Sequence, residues 1–144
     1  MAPLRILIAD DHEVFRRGLR SLLELRDDWQ ICGEAENGLD VIKKAKELKP
    51  DIVVLDISMP GLSGLEATRV IRSESALSEI VIVSQHDSPA MLRAALDAGA
   101  HCYVSKNQVS RDLLAAVEAA AQFVEGKKHA RRRSPSLSAL TPLT

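Results

Sequence analysis

Four short apolar runs punctuate the chain, at residues 4–9, 52–55, 80–83 and 102–104. The three longer ones are rich in Ile, Val or Leu and mostly do not alternate with polar residues. A strand that is apolar on both faces belongs in a parallel sheet covered on both sides. A weaker run, residues 30–34, reads as an edge strand. Between the runs the period changes to that of a helix. Val14, Phe15, Leu19, Leu22 and Leu23 make one apolar stripe. Val41, Ile42, Ala45 and Leu48 make a second, begun near Asn37-Gly38 and stopped by Pro50. Leu65, Thr68 and Ile71-Arg72 fit a third. Ser88 as cap with Pro89 in the first turn starts a fourth, ending at Ala98-Gly99. Val109, Leu113, Val117, Ala120 and Val124 give a fifth, begun near Asn107 or Ser110, with Gly126 past its end. Strand and helix thus alternate five times. Such alternation implies right-handed crossovers and a doubly wound α/β fold with a five-stranded parallel sheet.

Composition narrows the class. The chain has 144 residues, 46% hydrophobic and 27% charged, ordinary for one globular domain of ~100–150 residues. No apolar run approaches the ~20 residues of a membrane span. The opening Met1-Ala2-Pro3-Leu4-Arg5-Ile6-Leu7-Ile8-Ala9-Asp10-Asp11 is no signal peptide, because acids stand where a small-residue cleavage site would be. A cytoplasmic location is therefore expected. Cys32 and Cys102 fit no metal or redox spacing and read as buried thiols.

Charge is unevenly placed. The formal net charge is −1, but Lys127, Lys128, Arg131, Arg132 and Arg133 hold five of the 19 basic residues, and no acid follows Glu125. Residues 1–126 therefore carry 14 basic and 20 acidic side chains, a net of −6. An acidic body argues against nucleic-acid binding by the folded part alone. Residues 127–144 are basic and then Ser/Pro-rich, and read as a linker or disordered tail. The expected division is a domain at 1–126 and that tail.

In an open parallel sheet the site lies beyond the carboxyl ends of the strands. Here those ends carry Asp10-Asp11, Asp56, Ser84 and Lys106. Three carboxylates at one sheet edge repel one another, and Lys106 supplies one compensating charge. A hard divalent cation with oxygen ligands removes the deficit, and Mg²⁺ suits a few carboxylates with water and a phosphate. Asp56, rigid on a buried strand, has the makings of a nucleophile toward an activated phosphoryl group. Ser84 and Lys106 offer a hydroxyl donor and a point charge for the transferred oxygens.

At these residues the chain resembles the receiver domain of two-component response regulators, over residues 4–125. The motifs are Asp10-Asp11, Asp56 with Met59-Pro60-Gly61, Ser84, and Lys106 preceded by Tyr103. The resemblance implies a flavodoxin-like strand order 2-1-3-4-5 and Asp56 as phospho-acceptor. Asp11 and Asp56 would ligate Mg²⁺ directly, Asp10 mainly through water, and the backbone carbonyl of Ser58 would complete the protein's share. Lys106 would pair with the phosphoryl oxygens, Ser84 would close onto them, and Tyr103 would turn inward as the switch. The donor would be a sensor histidine kinase or phosphotransfer protein. The opening 9–19 and the stretch Ser84-Gln85-His86-Asp87 are similar to NarL/FixJ-type regulators. Members of that type control transcription through a C-terminal helix-turn-helix domain, so DNA would be reached only through a domain missing here. Leu140-Thr141-Pro142-Leu143-Thr144 looks like its first residues, which favours a chain stopping at the linker over a stand-alone receiver. A homodimer through the fourth helix, fifth strand and fifth helix is a further expectation, with Ala90, Ala94, Ala95 and Ala98 on that helix.

The sequence departs from the pattern at Asn107, where many receivers have proline, and at Ser84, which replaces the commoner threonine but keeps the hydroxyl. Cys32 and Cys102 would lie on opposite outer strands, so no disulfide is expected. His12 reads as solvent-facing or helix-capping, His86 and His101 carry no assigned chemistry, and Trp29 reads as a packing residue. A haloacid-dehalogenase-like phosphatase is disfavoured because Ser58 stands where its second aspartate belongs and Asp56 follows the third strand. No Gly-x-Gly-x-x-Gly follows the first strand, which excludes dinucleotide binding. The remaining alternative is a phosphate-independent interaction module.

Overall fold

In the computed structural model, which describes residues 2–86 and 88–133, five parallel strands form one sheet in the order β2-β1-β3-β4-β5. The strands are β1 (Leu4–Ala9), β2 (Trp29–Ala35), β3 (Ile52–Asp56), β4 (Glu79–Ser84) and β5 (Cys102–Ser105). The helices are α1 (Glu13–Leu23), α2 (Gly38–Leu48), α3 (Gly64–Glu74), α4 (Pro89–Ala98) and α5 (Val109–Arg133). A 3₁₀ turn, Lys106–Gln108, joins β5 to α5.

The continuous apolar strands feed two cores at once, because successive side chains point to opposite faces. Leu7, Ala9, Val53, Leu55, Ile80 and Ile82 face α2, α3 and α4 with Val41, Ala45, Ala67, Ile71 and Ala95. Ile6, Ile8, Ile52, Val54, Val81 and Val83 face α1 and α5 with Leu19, Leu23, Leu113, Val117, Ala120 and Val124. One polar substitution on β1, β3 or β4 would therefore damage one face whichever parity it took. The outer strands carry Cys32 and Cys102, both free thiols and both half-buried rather than buried. Burial pushes the Cys102 thiol up to about 11. Trp29 opens β2, 8% exposed, with the Arg26 guanidinium 4.6 Å above its ring.

The helix starts follow the caps in the sequence. Asn37, Ser63 and Ser88 each accept a hydrogen bond from the amide three residues on, at 2.8, 3.3 and 3.1 Å. Gly99 ends α4 in the left-handed region at φ 110°.

Two expectations fail. Val14 is 82% exposed and belongs to no apolar stripe. The buried face of α1 is Arg16, Leu19 and Leu23, a spacing of three and four residues that leaves Val14 about 200° round the helix from Arg16. Nor does α5 stop at Gly126, since the helix continues to Arg133. Glycine inside a helix costs ~1 kcal/mol, but the next two residues are anchored. Lys127 Nζ donates to the Ala76 carbonyl at 2.8 Å and to the buried Glu79 carboxylate, and Lys128 Nζ donates to Asp51 Oδ1 at 2.7 Å. The basic stretch expected as linker is thus helical as far as residue 133, and residues 134–144 lie outside the described residues.

Candidate phosphoryl-acceptor site

The carboxyl ends of four strands meet at one edge of the sheet. Asp10 and Asp11 follow β1, Asp56 and Ser84 are the last residues of β3 and β4, and Lys106 follows β5. Four strand ends, far apart along the chain, bring these five residues to that edge, so apart from the adjacent Asp10-Asp11 no local spacing connects them.

Lys106 sits at the centre. Its Nζ lies 2.9 Å from Asp10 Oδ2 and 3.2 Å from Asp56 Oδ2, with 6% of its side chain exposed. Asp10 and Asp56 are 1% and 3% exposed. Burial drives the Asp56 carboxyl above the usual carboxylate range, and the Asp10 charge adds to this, while Lys106 and the Ser58 amide pull the other way. Burial pulls the Lys106 ammonium down, but the Asp10 and Asp56 carboxylates outweigh it and leave Lys106 above its ordinary value. The ammonium is therefore firmly protonated at neutral pH.

The backbone fixes the carboxylates. Asp10 Oδ1 accepts from the His12 amide at 2.8 Å, and the Asp10 amide donates to the Ala35 carbonyl at 3.1 Å. Asp56 Oδ1 accepts from the Ser58 amide at 3.2 Å. Gly64 closes the loop after β3, and a Cβ there would stand 2.1 Å from the Asp56 carbonyl oxygen. Only glycine lets α3 begin so close to the strand.

Among the described residues the charges at this edge do not balance. Asp10, Asp11 and Asp56 face one lysine. Among the described residues Asp11 Oδ1, a buried carboxylate oxygen, accepts no hydrogen bond, and the buried Asp10 Oδ2 has no partner but the Lys106 ammonium 2.9 Å away. Ligand atoms of Asp10, Asp11, His12 and Asp56 all lie within 4.8 Å of one another. A compact divalent cation with oxygen ligands fits this deficit.

The other expected residues are nearby but differently engaged. Ser84 is fully buried, and its Oγ accepts from the His86 amide at 3.2 Å. The Tyr103 hydroxyl is buried with no hydrogen-bond partner among the described residues. Ser58 is exposed, and its Oγ lies 3.1 Å from His86 Nε2. His12 is solvent-facing as expected, 65% exposed, yet its Nδ1 stands 3.3 Å from Asp11 Oδ1 and 3.4 Å from Asp10 Oδ1. It occupies the cap position of α1 without a side-chain capping bond.

Sequence reasoning missed Arg16. Its Nη1 donates to the Asp10 carbonyl at 2.7 Å and its Nε to Glu34 Oε1 at 2.8 Å. The available signal was its position three residues before Leu19, on the inward face of α1. It also missed the Ser58–His86 pair, which no spacing in the chain announces.

A family model described as the response regulator receiver domain matches residues 6–118. Among curated proteins the chain is 37% identical to the transcriptional regulatory protein LnrK of Bacillus subtilis, over 79% of this chain and 52% of that one. It is 36% identical to the nitrate/nitrite response regulator protein NarP of Escherichia coli, over 83% and 56% of the two. The chain spans about half the length of these relatives. The receiver domain of the putative response regulator NarL from Mycobacterium tuberculosis superposes with a TM-score of 0.80 at 30% identity, covering 85% of this chain and 98% of that one. A LuxR-family response regulator from Aurantimonas gives 0.79 at 36% identity, covering 86% of each.

Proposed function

The chain belongs to the response regulator receiver domain family, in its NarL/LuxR branch, and we propose that it is a phosphorylation switch whose acceptor is Asp56. The observation that carries this reading is the Lys106 ammonium held between the Asp10 and Asp56 carboxylates at the carboxyl edge of the sheet. Asp56 presents a rigid carboxylate, and Lys106 a fixed positive charge where oxygens of a phosphoryl group would lie.

In the proposed step a carboxylate oxygen of Asp56 attacks the phosphorus of a phosphohistidine on a sensor kinase or phosphotransfer protein. The new P–O bond forms as the P–N bond breaks, and the imidazole nitrogen leaves with the electron pair. Asp10, Asp11, Asp56 and the Ser58 carbonyl would hold Mg²⁺, which supplies neutralisation of the phosphoryl oxygens. Lys106 moves its hydrogen bond from the Asp56 carboxylate to a phosphoryl oxygen. The acyl phosphate carries a charge near −2, which draws the Ser84 hydroxyl off the His86 amide. Tyr103 follows into the vacated space. Its hydroxyl has no partner among the described residues, so a rearrangement that supplies one favours the switched form.

The output side is proposed from the relatives. The switch would alter the α4-β5-α5 surface, through which a homodimer would form, and would control transcription through a DNA-binding domain beyond the tail. The division into a receiver at 1–126 and a tail at 127–144 goes with this reading, with α5 carrying the first part of the tail. No helix among the described residues is long and apolar enough to cross a membrane, and a cytoplasmic site of action is proposed.

Acetyl phosphate with Mg²⁺, read by intact mass, tests the assignment. The expected result is a gain of one phosphoryl group in the wild type and none in Asp56→Asn. Equal labelling of the variant would overturn Asp56 as acceptor. Absence of both labelling and Mg²⁺ binding in the wild type would leave a phosphate-independent interaction module.

A further inference from the structure

Lys106 has a third neighbour besides its two carboxylates. The ring of Phe15, in the first turn of α1, has its centroid 4.3 Å from Nζ, well inside the ~6 Å reach of a cation–π contact. An ammonium has three N–H donors. Asp10 Oδ2 and Asp56 Oδ2 take two directions, and the ring face lies on a third side. That face carries the negative lobe of the aromatic quadrupole. It attracts the ammonium without adding a formal charge, and it offers no lone pair to compete for a cation or for a phosphoryl oxygen. With 6% of the Lys106 side chain exposed, little water screens the contact.

We propose that Phe15 is a positioning residue for Lys106, its ring face holding the ammonium where it meets the transferred oxygens. This rests on the phosphoryl-acceptor reading of the same pocket. Phe15 itself touches no reacting atom. It also packs half-buried against the core layer beneath α1 and α5, so a purely apolar role is the rival to exclude. The two roles differ in electronics. Ring fluorine withdraws charge from the π face at nearly constant shape, whereas packing depends on shape alone.

The experiment places 4-fluoro-, 3,5-difluoro- and 3,4,5-trifluorophenylalanine at position 15, beside Phe15→Tyr and Phe15→Leu. It reads the rate of phosphorylation at saturating acetyl phosphate with Mg²⁺, the affinity for beryllofluoride, and the melting temperature. Rate and affinity are expected to fall stepwise with fluorine number, reaching about fivefold in the trifluoro form. Phe15→Leu should fall at least as far, Phe15→Tyr should remain near the wild type, and the melting temperature should be constant across the fluorinated forms. Rates and affinities that ignore fluorination, with only Phe15→Leu impaired, would overturn the inference and leave the phosphorylation reading intact. An unmodified protein that neither labels nor binds beryllofluoride would overturn both.

Discussion

Arg16 Nη1 donates to the backbone carbonyl of Asp10 at 2.7 Å, tying the first turns of α1 to the end of the strand that carries the acid pair. The guanidinium is itself held by β2, through Nε to Glu34 Oε1 at 2.8 Å, with Arg20 reaching the other oxygen of the same carboxylate. Glu34 is partly desolvated, which raises its carboxyl, but the two arginines outweigh this and leave it below the usual range.

Stability should therefore depend on pH through Glu34. A carboxyl lowered in the folded state contributes stability that is present above its unfolded value and lost as pH falls through the folded one. Glu34→Gln should melt lower than the wild type at pH 7, by ~1–2 kcal/mol, since the 10% exposed Arg16 side chain loses its main counter-charge. The gap should close as pH drops below ~4.3, where a free glutamate protonates. A gap that persists unchanged at pH 3 would show that the pair is not the source.

Gly64→Ala tests how tightly the acceptor strand and α3 are joined. A Cβ would meet the Asp56 carbonyl oxygen at 2.1 Å and the Ile57 Cα at 2.7 Å. Both are backbone atoms, so neither can swing aside. Overpacking of this kind costs ~1–3 kcal/mol. Because the displaced atoms belong to Asp56 and its neighbour, phosphorylation should slow more than the melting temperature alone explains. Chemical denaturation and acetyl phosphate labelling of one preparation check both parts. Normal labelling by a destabilised variant would show that the helix yields and the acceptor does not.

Most of the fold was legible because its strongest signal, apolar runs without alternation, is dictated by a sheet buried on both faces. The acid pair, Asp56, Ser84 and Lys106 were legible for a related reason, since each stands where a strand stops. What escaped were features set by tertiary contact. Arg16 drew no reading of its own, and it occupies the inward face because the Asp10 carbonyl and Glu34 satisfy its donors there. Val14 looked apolar enough to be core, but the helix phase places it in solvent. Gly126 looked like a stop signal, and the anchoring of Lys127 and Lys128 to Glu79 and Asp51 overrode it. The Ser58–His86 contact joins two loops 28 residues apart and has no trace in either alone.

Asp56→Asn should stabilise the fold as well as abolish labelling. The folded state raises the Asp56 carboxyl, chiefly through burial and then through the Asp10 charge. A carboxyl raised on folding gives stability that is full below its unfolded value and lost as pH rises through the folded one. The neutral amide escapes that loss. In chelator at pH 7 the variant should melt a few degrees higher, the size of ~1 kcal/mol in a domain of this length. The difference should vanish below pH ~3.9, where the free carboxyl protonates. Mg²⁺ should narrow it by binding the folded wild type. A variant that melts lower than the wild type at pH 7 would mean that Lys106 needs Asp56 more than Asp56 is penalised.

Tyr103→Phe separates the ring from its hydroxyl. The hydroxyl is buried without a partner among the described residues, and an unsatisfied buried donor costs ~1–3 kcal/mol. The ring packs against the core layer with Met91 and Ala95 and is unchanged in the variant. The unphosphorylated variant should thus be at least as stable as the wild type, against the usual expectation for trimming a half-buried residue. If the hydroxyl gains a partner when the pocket is filled, beryllofluoride with Mg²⁺ should raise the melting temperature less in Tyr103→Phe than in the wild type. Thermal melts with and without beryllofluoride give both comparisons. A variant less stable than the wild type without beryllofluoride would show that the hydroxyl is already satisfied in the resting state, and its inward turn would then gain nothing from a new bond.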